Sequence, residues 1–450
     1  LGAELLRGLL QLAPLFINLA LTKEAKQAAD LALEHNPNNA EAALWLSRAA
    51  AKRGETDEAL QAAHLAAALD PEDYAVRRQL ARALQAAEEY DAALLEWQSL
   101  AAEDEAVNAA DWLALAECAA HSGDFVAAVE ASRQAITLDA EDGAAYAQLG
   151  AARLAQGDGA SAVQHLERAV ELAPNLLKAW LGIAAQQRAA GQYDAALATL
   201  MQAQQRCAPS AQFCYDLGQT YIALDLSDEA IAALREALEL SDSHTPSQLS
   251  QAIAVALGRL ELAAGQQARA RQTLERAHQA FPANPAIARL FGQALLAQGQ
   301  AHKALAALAI ADEAEPGDIA IQMDIARAHL AIDGAKQAEI VLRKVVKQDP
   351  AQLDAKVMLA DALAQQGQHS QAIKQYEAIL ASDVNRNADM RTRLITSKAA
   401  TQLEAGQHED GLATLETLQK ESPEDLSVLR ALCGAYRQLD RAEEAFQIAH

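Results

Sequence analysis

The sequence predicts an all-α chain folded as an α-solenoid of about thirteen helix-turn-helix units. Three observations carry that expectation. The composition favours helix almost everywhere, the chain repeats itself every 34 residues, and columns of glycine, alanine, leucine and proline keep register along that period.

Of the 450 residues 51% are hydrophobic but only 4% aromatic, and alanine and leucine supply most of the apolar side chains. Ala, Leu, Glu, Gln and Arg lose little freedom in a helix, whereas the β-branched and aromatic residues that suit a pleated sheet are few. The period is read from an alanine that follows a turn: Ala25, Ala59, Ala93, Ala128, Ala162, Ala196, Ala230, Ala270, Ala304, Ala338, Ala372, then Gly411 and Ala445. Nine of the twelve intervals are 34 residues. A repeat of that length is one supersecondary unit that buries its apolar face by stacking on its neighbours.

Four further columns share this register. Five residues before the alanine stands a glycine in most units (Gly54, Gly123, Gly157, Gly191, Gly265, Gly299, Gly367, Gly406), as a turn between antiparallel helices requires. Eight before the glycine is a large apolar residue such as Leu46, Leu80, Leu149, Phe291 or Leu432, followed directly by a small one. Seven after the alanine comes another small residue (Ala66, Ala135, Ala169, Ala203, Ala237, Ala277, Ala311), on the same helix face, where it lets helices approach closely. Pro71, Pro174, Pro282, Pro316, Pro350 and Pro423 close the units, since proline cannot continue a helix and suits the first turn of the next one.

In chain order, residues 1–39 read as an irregular N-terminal repeat or cap, because Pro14 falls inside the first helix. Units of regular spacing fill 40–240. The segment 241–250, "SDSHTPSQLS", is an inserted loop, and units resume over 251–381. A second inserted loop, "SDVNRNADMR" at 382–391, precedes the units of 392–450, the last of them truncated. Both insertions are polar and turn-rich and read as tolerated slack, with a binding loop as the alternative. Lys398 and Gly411 make the 392–425 unit irregular. The chain begins with Leu and ends inside a helical pattern, which reads as a fragment or processed product.

The pattern resembles the tetratricopeptide repeat over nearly the whole chain. Its most specific instances are 143–176, with Tyr146, Leu149, Gly150, Gly157, Ala162, Ala169 and Pro174, and 177–210, with Trp180, Gly191, Tyr193, Ala196 and Ala203. The resemblance implies a right-handed superhelix whose first helices line a concave, peptide-binding groove. The chaperone-binding subset of the family uses a Lys/Asn carboxylate clamp. Its asparagines are absent from the columns that would face the groove, so chaperone-tail capture is not expected.

Composition excludes several function classes. A net charge of −24 disfavours nucleic acid and anionic lipid. The longest apolar stretch, 5–21, is interrupted by Arg7, Gln11, Pro14 and Asn18, so no membrane span is expected. Cys118, Cys207, Cys214 and Cys433 form no C-x-x-C pair and read as small buried side chains, a Cys207–Cys214 bridge being the alternative. No nucleotide loop, zinc motif, nucleophile elbow or calcium loop occurs, so no catalytic residue, cofactor or metal ligand is assigned. Gly157, Gly159 and Ala162 do match G-x-G-x-x-A. The residues before them are helical in pattern, however, and Gly157 belongs to the turn column, which leaves Gly159 incidental. His165, His278 and His329 read as packed or solvated, Glu88-Glu89 and Glu443-Glu444 as acids near helix starts, and Trp112, Tyr146 and Trp180 as inter-helix packing.

One functional signal stands against the acidic background. Arg48, Arg82, Arg259 and Arg327 share a column on the first helices, and Arg78 and Arg289 stand four residues earlier. They form two groups, Arg48, Arg78 and Arg82 in adjacent units and Arg259, Arg289 and Arg327 in three others. Such groups suit acidic side chains or a terminal carboxylate, the bland reading being a face neutralised by nearby acids. The expectation is a non-enzymatic scaffold that binds a protein or peptide partner. Self-assembly into a filament through the solenoid ends and a regulatory arm of a larger protein are the alternatives.

Overall fold

A left-handed residue closes the first helix of each described unit, and this turn sets the architecture. The computed structural model describes residues 12, 15–17, 19–103, 107–241, 247–381 and 388–449, and among them every regular element is a helix. Pro14 and most of the first predicted helix lie outside the described residues, as do 242–246 and 382–387 of the two insertions.

All eight glycines of the turn column have positive φ, from +69° at Gly265 to +83° at Gly157. Units without the glycine keep the conformation: Ala20, Glu88, Asp225, Asp333 and Asp440 are left-handed as well. The hydrogen bonds show why. Gly157 N donates to the Leu154 carbonyl (2.9 Å) and Asp158 N to that of Arg153 (3.0 Å), which caps carbonyls the helix leaves open. Glu88 and Glu89 repeat the pattern onto Gln85 and Leu84. Glu88 is therefore the turn residue just before the helix Tyr90–Glu103, near a helix start as expected, and Glu443 and Glu444 occupy the first turn of Ala442–Ala449. The prolines sit two residues past the second helix, as Pro174 follows Gly159–Leu172, and so belong to the connecting turn. The first-turn place is taken only once among the described helices, by Pro285 of Pro285–Ala297.

Within each unit the helices meet through a fit of small against large. Four residues after the anchor alanine stand the most buried large side chains, among them Trp97, Leu166, Leu200, Leu274, Leu308 and Tyr376. The small residue of the first helix lies against them. A methyl group added to Gly150 would fall 2.6 Å from Leu166 Cγ, and one at Gly258 would fall 2.5 Å from Leu274 Cδ2. Gly411 obeys the same logic from the other side. A methyl there would meet Leu403 Cγ at 2.8 Å, which explains glycine in a column of alanine.

The chain forms two compact units, Leu1–Leu226 and Ser227–His450. In the first, Ala109–His121, Gly143–Ala155, Leu177–Ala189 and Ala211–Ala223 touch in sequence as a row of first helices. In the second, the row runs from Gln248–Ala263 through Pro285–Ala297, Ile319–Leu330, Leu353–Gln365 and Ala388–Glu404 to Leu426–Gln438. Among the described residues no two second helices pack to a comparable extent. A stack whose first helices touch while its second helices splay must curve toward the first, so within each unit the first helices form the inner face.

Cys118 and Cys214 are buried as expected, but Cys207 and Cys433 are partly exposed, and none of the four is in a disulfide. Burial pushes the Cys118 thiol up to about 12. Trp180 is buried, Trp112 and Tyr146 pack against neighbouring clusters, and His165 and His278 lie beside Tyr146 and Phe291. Burial lowers the pKa of His165, His278 and His329. No described helix is long and apolar enough to cross a membrane.

Because Glu88 is held left-handed at a cost of about 1–2 kcal/mol, Glu88→Gly should raise stability by up to about 1 kcal/mol. Gly150→Ala should lower it by about 1–3 kcal/mol through overpacking against Leu166. Urea denaturation followed by circular dichroism checks both, and a less stable Glu88→Gly would contradict the turn assignment.

Candidate functional site: the arginines of the inner face

The six predicted arginines are on first helices: Arg48 on Ala40–Arg53, Arg78 and Arg82 on Tyr74–Ala86, Arg259 on Gln248–Ala263, Arg289 on Pro285–Ala297, and Arg327 on Ile319–Leu330. Their first-helix register follows from the turn column, which starts every second helix at a fixed offset. Three of them are thereby gathered in the first compact unit and three in the second.

In the first unit the group is built around a carboxylate that spacing did not reveal. Asp111, on Ala109–His121, is only 1% exposed. Its Oδ1 accepts from Arg78 Nε at 2.7 Å and from Arg82 Nη2 at 3.5 Å, and its Oδ2 accepts from the Tyr74 hydroxyl at 3.2 Å. The same side chain completes a capping box with Asn108, so helix start and ion pair share one residue. Arg48 stacks over Trp45 with its Cζ 4.7 Å from the ring centroid. Burial, then the fields of Arg82 and Arg78, lower the Arg48 pKa, and burial followed by Arg78 lowers that of Arg82. The three guanidiniums thus share a field in which the buried Asp111 is the counter-charge of Arg78 and Arg82, while Asp73 is the acid acting on Arg48.

The second unit repeats the device. Asp324 is 1% exposed and accepts from Arg289 Nε (2.8 Å), Gln293 Nε2 (2.7 Å) and Arg327 Nη1 (2.8 Å). Arg259 does not join it. That arginine is exposed on its own helix and makes no ion pair among the described residues. Arg327 also borders a pocket of about 330 Å³ that reaches Arg393 and Asp361, with Leu330, Val357 and Met358 as apolar lining. Burial raises the Asp361 pKa against the pull of the Tyr376 hydroxyl and Arg393.

These contacts divide the arginines by role. Arg78 and Arg289 are half-buried and committed to an aspartate in the following repeat. Arg82 and Arg327 reach the same aspartates yet remain 48% and 51% exposed, so their heads keep donors for a ligand. The partners were legible only as an aspartate about one period downstream of an arginine, 33 residues from Arg78 to Asp111 and 35 from Arg289 to Asp324. Arg188 and Asp216, and Arg235 and Glu261, make similar pairs within the first and second unit respectively. Arg78 and Arg289 are thus each neutralised by a buried aspartate.

The stretch at Gly157 has no phosphate-cradle geometry. A helix, Gly143–Ala155, precedes it where a strand would be needed, and Gly157 is the inter-helix turn. A methyl added at Gly159 would meet only the movable amide end of Gln186, so no turn or backbone contact requires glycine there.

Truncating Arg78 leaves the Asp111 carboxylate buried without its closest donor. Arg78→Ala should cost about 3 kcal/mol or more, whereas Arg82→Ala should cost less than about 1 kcal/mol. Chemical denaturation of the two variants checks this, and equal losses would overturn the division of roles. Charge reversal at Arg78 would likewise disturb folding, so tests of binding belong on Arg48 and Arg82.

Comparison with known proteins bears on the fold. A tetratricopeptide repeat family model matches residues 261–328 and 335–394, a second matches 143–176 and 211–244, and a third matches 10–74. The match at 143–176 has the limits read from the spacing alone. No curated protein sequence matches the chain. Similar solved structures include the Cut9–Hcn1 hetero-tetramer of the APC/C, at 12% identity over 94% of this chain and 95% of that one, with a TM-score of 0.45. A tetratricopeptide repeat protein from Parabacteroides merdae is 14% identical over 57% of this chain and 98% of its own, with a TM-score of 0.48. Yeast Tom70 is 16% identical over 93% and 100%, with a TM-score of 0.36. With its 34-residue period, its left-handed turn column and these family matches, the chain belongs to the tetratricopeptide repeat family.

Proposed function

We propose that this protein is a non-enzymatic scaffold whose inner face holds an acidic segment of a peptide or protein partner. One observation carries the reading. In a chain of net charge −24, Arg78 and Arg82 both reach one buried carboxylate, and Arg48 lies within the field of those two guanidiniums. Arg78 neutralises Asp111 and braces it, which leaves Arg82 and the Trp45-stacked Arg48 as donors held in place before a partner arrives. Preorganised guanidiniums lose less freedom on binding, and their fork matches a carboxylate. A partner carrying acids is favoured there and repelled elsewhere on the surface, so the site sets register as well as affinity.

In the second unit, Arg327 and Arg393 flank the pocket over Val357 and Met358, which suits an apolar side chain between acidic neighbours in an extended segment. Arg259, exposed and without an ion pair among the described residues, is a further donor available in that unit.

Fluorescence anisotropy with fluorescein-labelled deca-glutamate tests the proposal. Arg48→Ala combined with Arg82→Ala should weaken binding at least tenfold, about 1.4 kcal/mol, with helicity unchanged. Affinity should also fall steeply as salt is raised. Unchanged affinity in the double variant would overturn the assignment of the first group.

A further inference from the structure

The unit of Ala388–Glu404 and His408–Glu421 breaks a rule kept elsewhere. Thirteen residues before the anchor, twelve units carry Leu, Ile or Phe, but here the residue is Lys398. In that register the first helix floors an outer groove between two successive second helices. Phe291 fills the corresponding place in its own unit and leaves a pocket of about 170 Å³. Ile183 leaves about 390 Å³ and Lys398 about 440 Å³. Volume alone does not set the last apart; the charge on its floor does.

Lys398 is 18% exposed, and its ammonium lies 2.8 Å from Glu377 Oε1. Arg391 Nη1 lies 2.6 Å from Glu421 Oε2. Both glutamates are about half exposed, so neither pair is locked away from exchange, and Glu421 lines the pocket itself. Leu380, Ile395 and Leu418 supply apolar wall, and Asp410 adds a third carboxylate to the surroundings. An ion pair with an exposed glutamate returns little stability, whereas a leucine in this column would pack as its counterparts do. A break in the repeat rule without a gain in stability marks a place kept for another purpose.

Charge decides the ligand class. A simple anion would meet Glu377, Asp410 and Glu421, and a simple cation would meet Arg391 and Lys398. A ligand with both signs offsets both sets. The volume falls within the range of small-molecule sites. We propose that this outer pocket binds a short zwitterionic peptide. Its carboxylate is held by Lys398 and Arg391, its ammonium by Glu421 and Asp410, and its apolar side chains by Leu380, Ile395 and Leu418. The site is independent of the arginines of the inner face.

Isothermal titration of the full chain with leucyl-leucine tests this, with N-acetyl-leucyl-leucine and leucyl-leucinamide as probes lacking one charge. Leucyl-leucine should bind, each blocked form at least tenfold more weakly. Lys398→Phe, which introduces the side chain found at Phe291, should abolish the signal. Lys398→Leu should do the same while unfolding at no lower denaturant concentration than the parent chain. Arg48→Ala with Arg82→Ala should leave the titration unchanged. Absence of leucyl-leucine binding at millimolar concentration, equal binding of a blocked form, or full binding by either Lys398 variant would overturn the proposal. So would a loss of leucyl-leucine binding in the inner-face variant.

Discussion

The contact between the small residue of each first helix and the large residue about two turns into its second helix is what the rest of the structure depends on. At Gly150 and Leu166 the backbone of one helix lies where a methyl group would stand within 2.6 Å of the leucine. That approach buries Leu166 to 1% exposure and brings Ala162 and Ala169, both fully buried, onto the neighbouring helices. A chain with so few aromatic residues cannot fill wide gaps between helices. It builds its interior from close approach, at native packing density, using alanine faces keyed by one larger side chain per unit. Where the key is larger still, as with Trp97 or Tyr376, the facing column holds alanine, at Ala81 and Ala360. The left-handed turn follows from the same need, because only a tight reversal returns the chain onto the helix it has just left.

Polar chemistry is layered on this frame. Asp111, Asp216, Glu261 and Asp324 are buried acids on first helices, each held by an arginine from an earlier helix of its own compact unit. Such a pair contributes less than its Coulomb energy suggests, since both charges leave water, but it strongly disfavours any register that separates them. It also has a functional consequence. An arginine anchored to a buried aspartate presents a second arginine, four residues along in the case of Arg78 and Arg82, in a fixed position toward the inner face. In the proposed function, structural and recognition roles are thereby split between neighbours on one helix.

The unit around Lys398 and Gly411 shows how local departures are to be read. Both residues break a column, yet only one break is explained by packing. Glycine replaces alanine at 411 because Leu403 occupies the space a methyl would need. Lysine stands at 398 with no such packing reason, and it puts a charge on the floor of the pocket between the second helices.

The helices, their pairing, the turn column and the prolines that end each unit were legible in the sequence, because each depends on local backbone chemistry repeated often enough to reveal its register. The unit at 143–176 could be delimited from spacing alone. The arginines could be placed on first helices for the same reason, but their roles could not be separated. Whether a guanidinium is spent on a buried aspartate or left for a ligand depends on which carboxylate the stacking brings beside it, and Asp111 lies 33 residues from Arg78 in a different column from Asp324. The left-handed conformation of Glu88 and Asp333 was likewise imposed by the stack, against the preference of those residues. Periodicity determines what each unit is. Only the contact between one unit and the next decides which of its charges remain free.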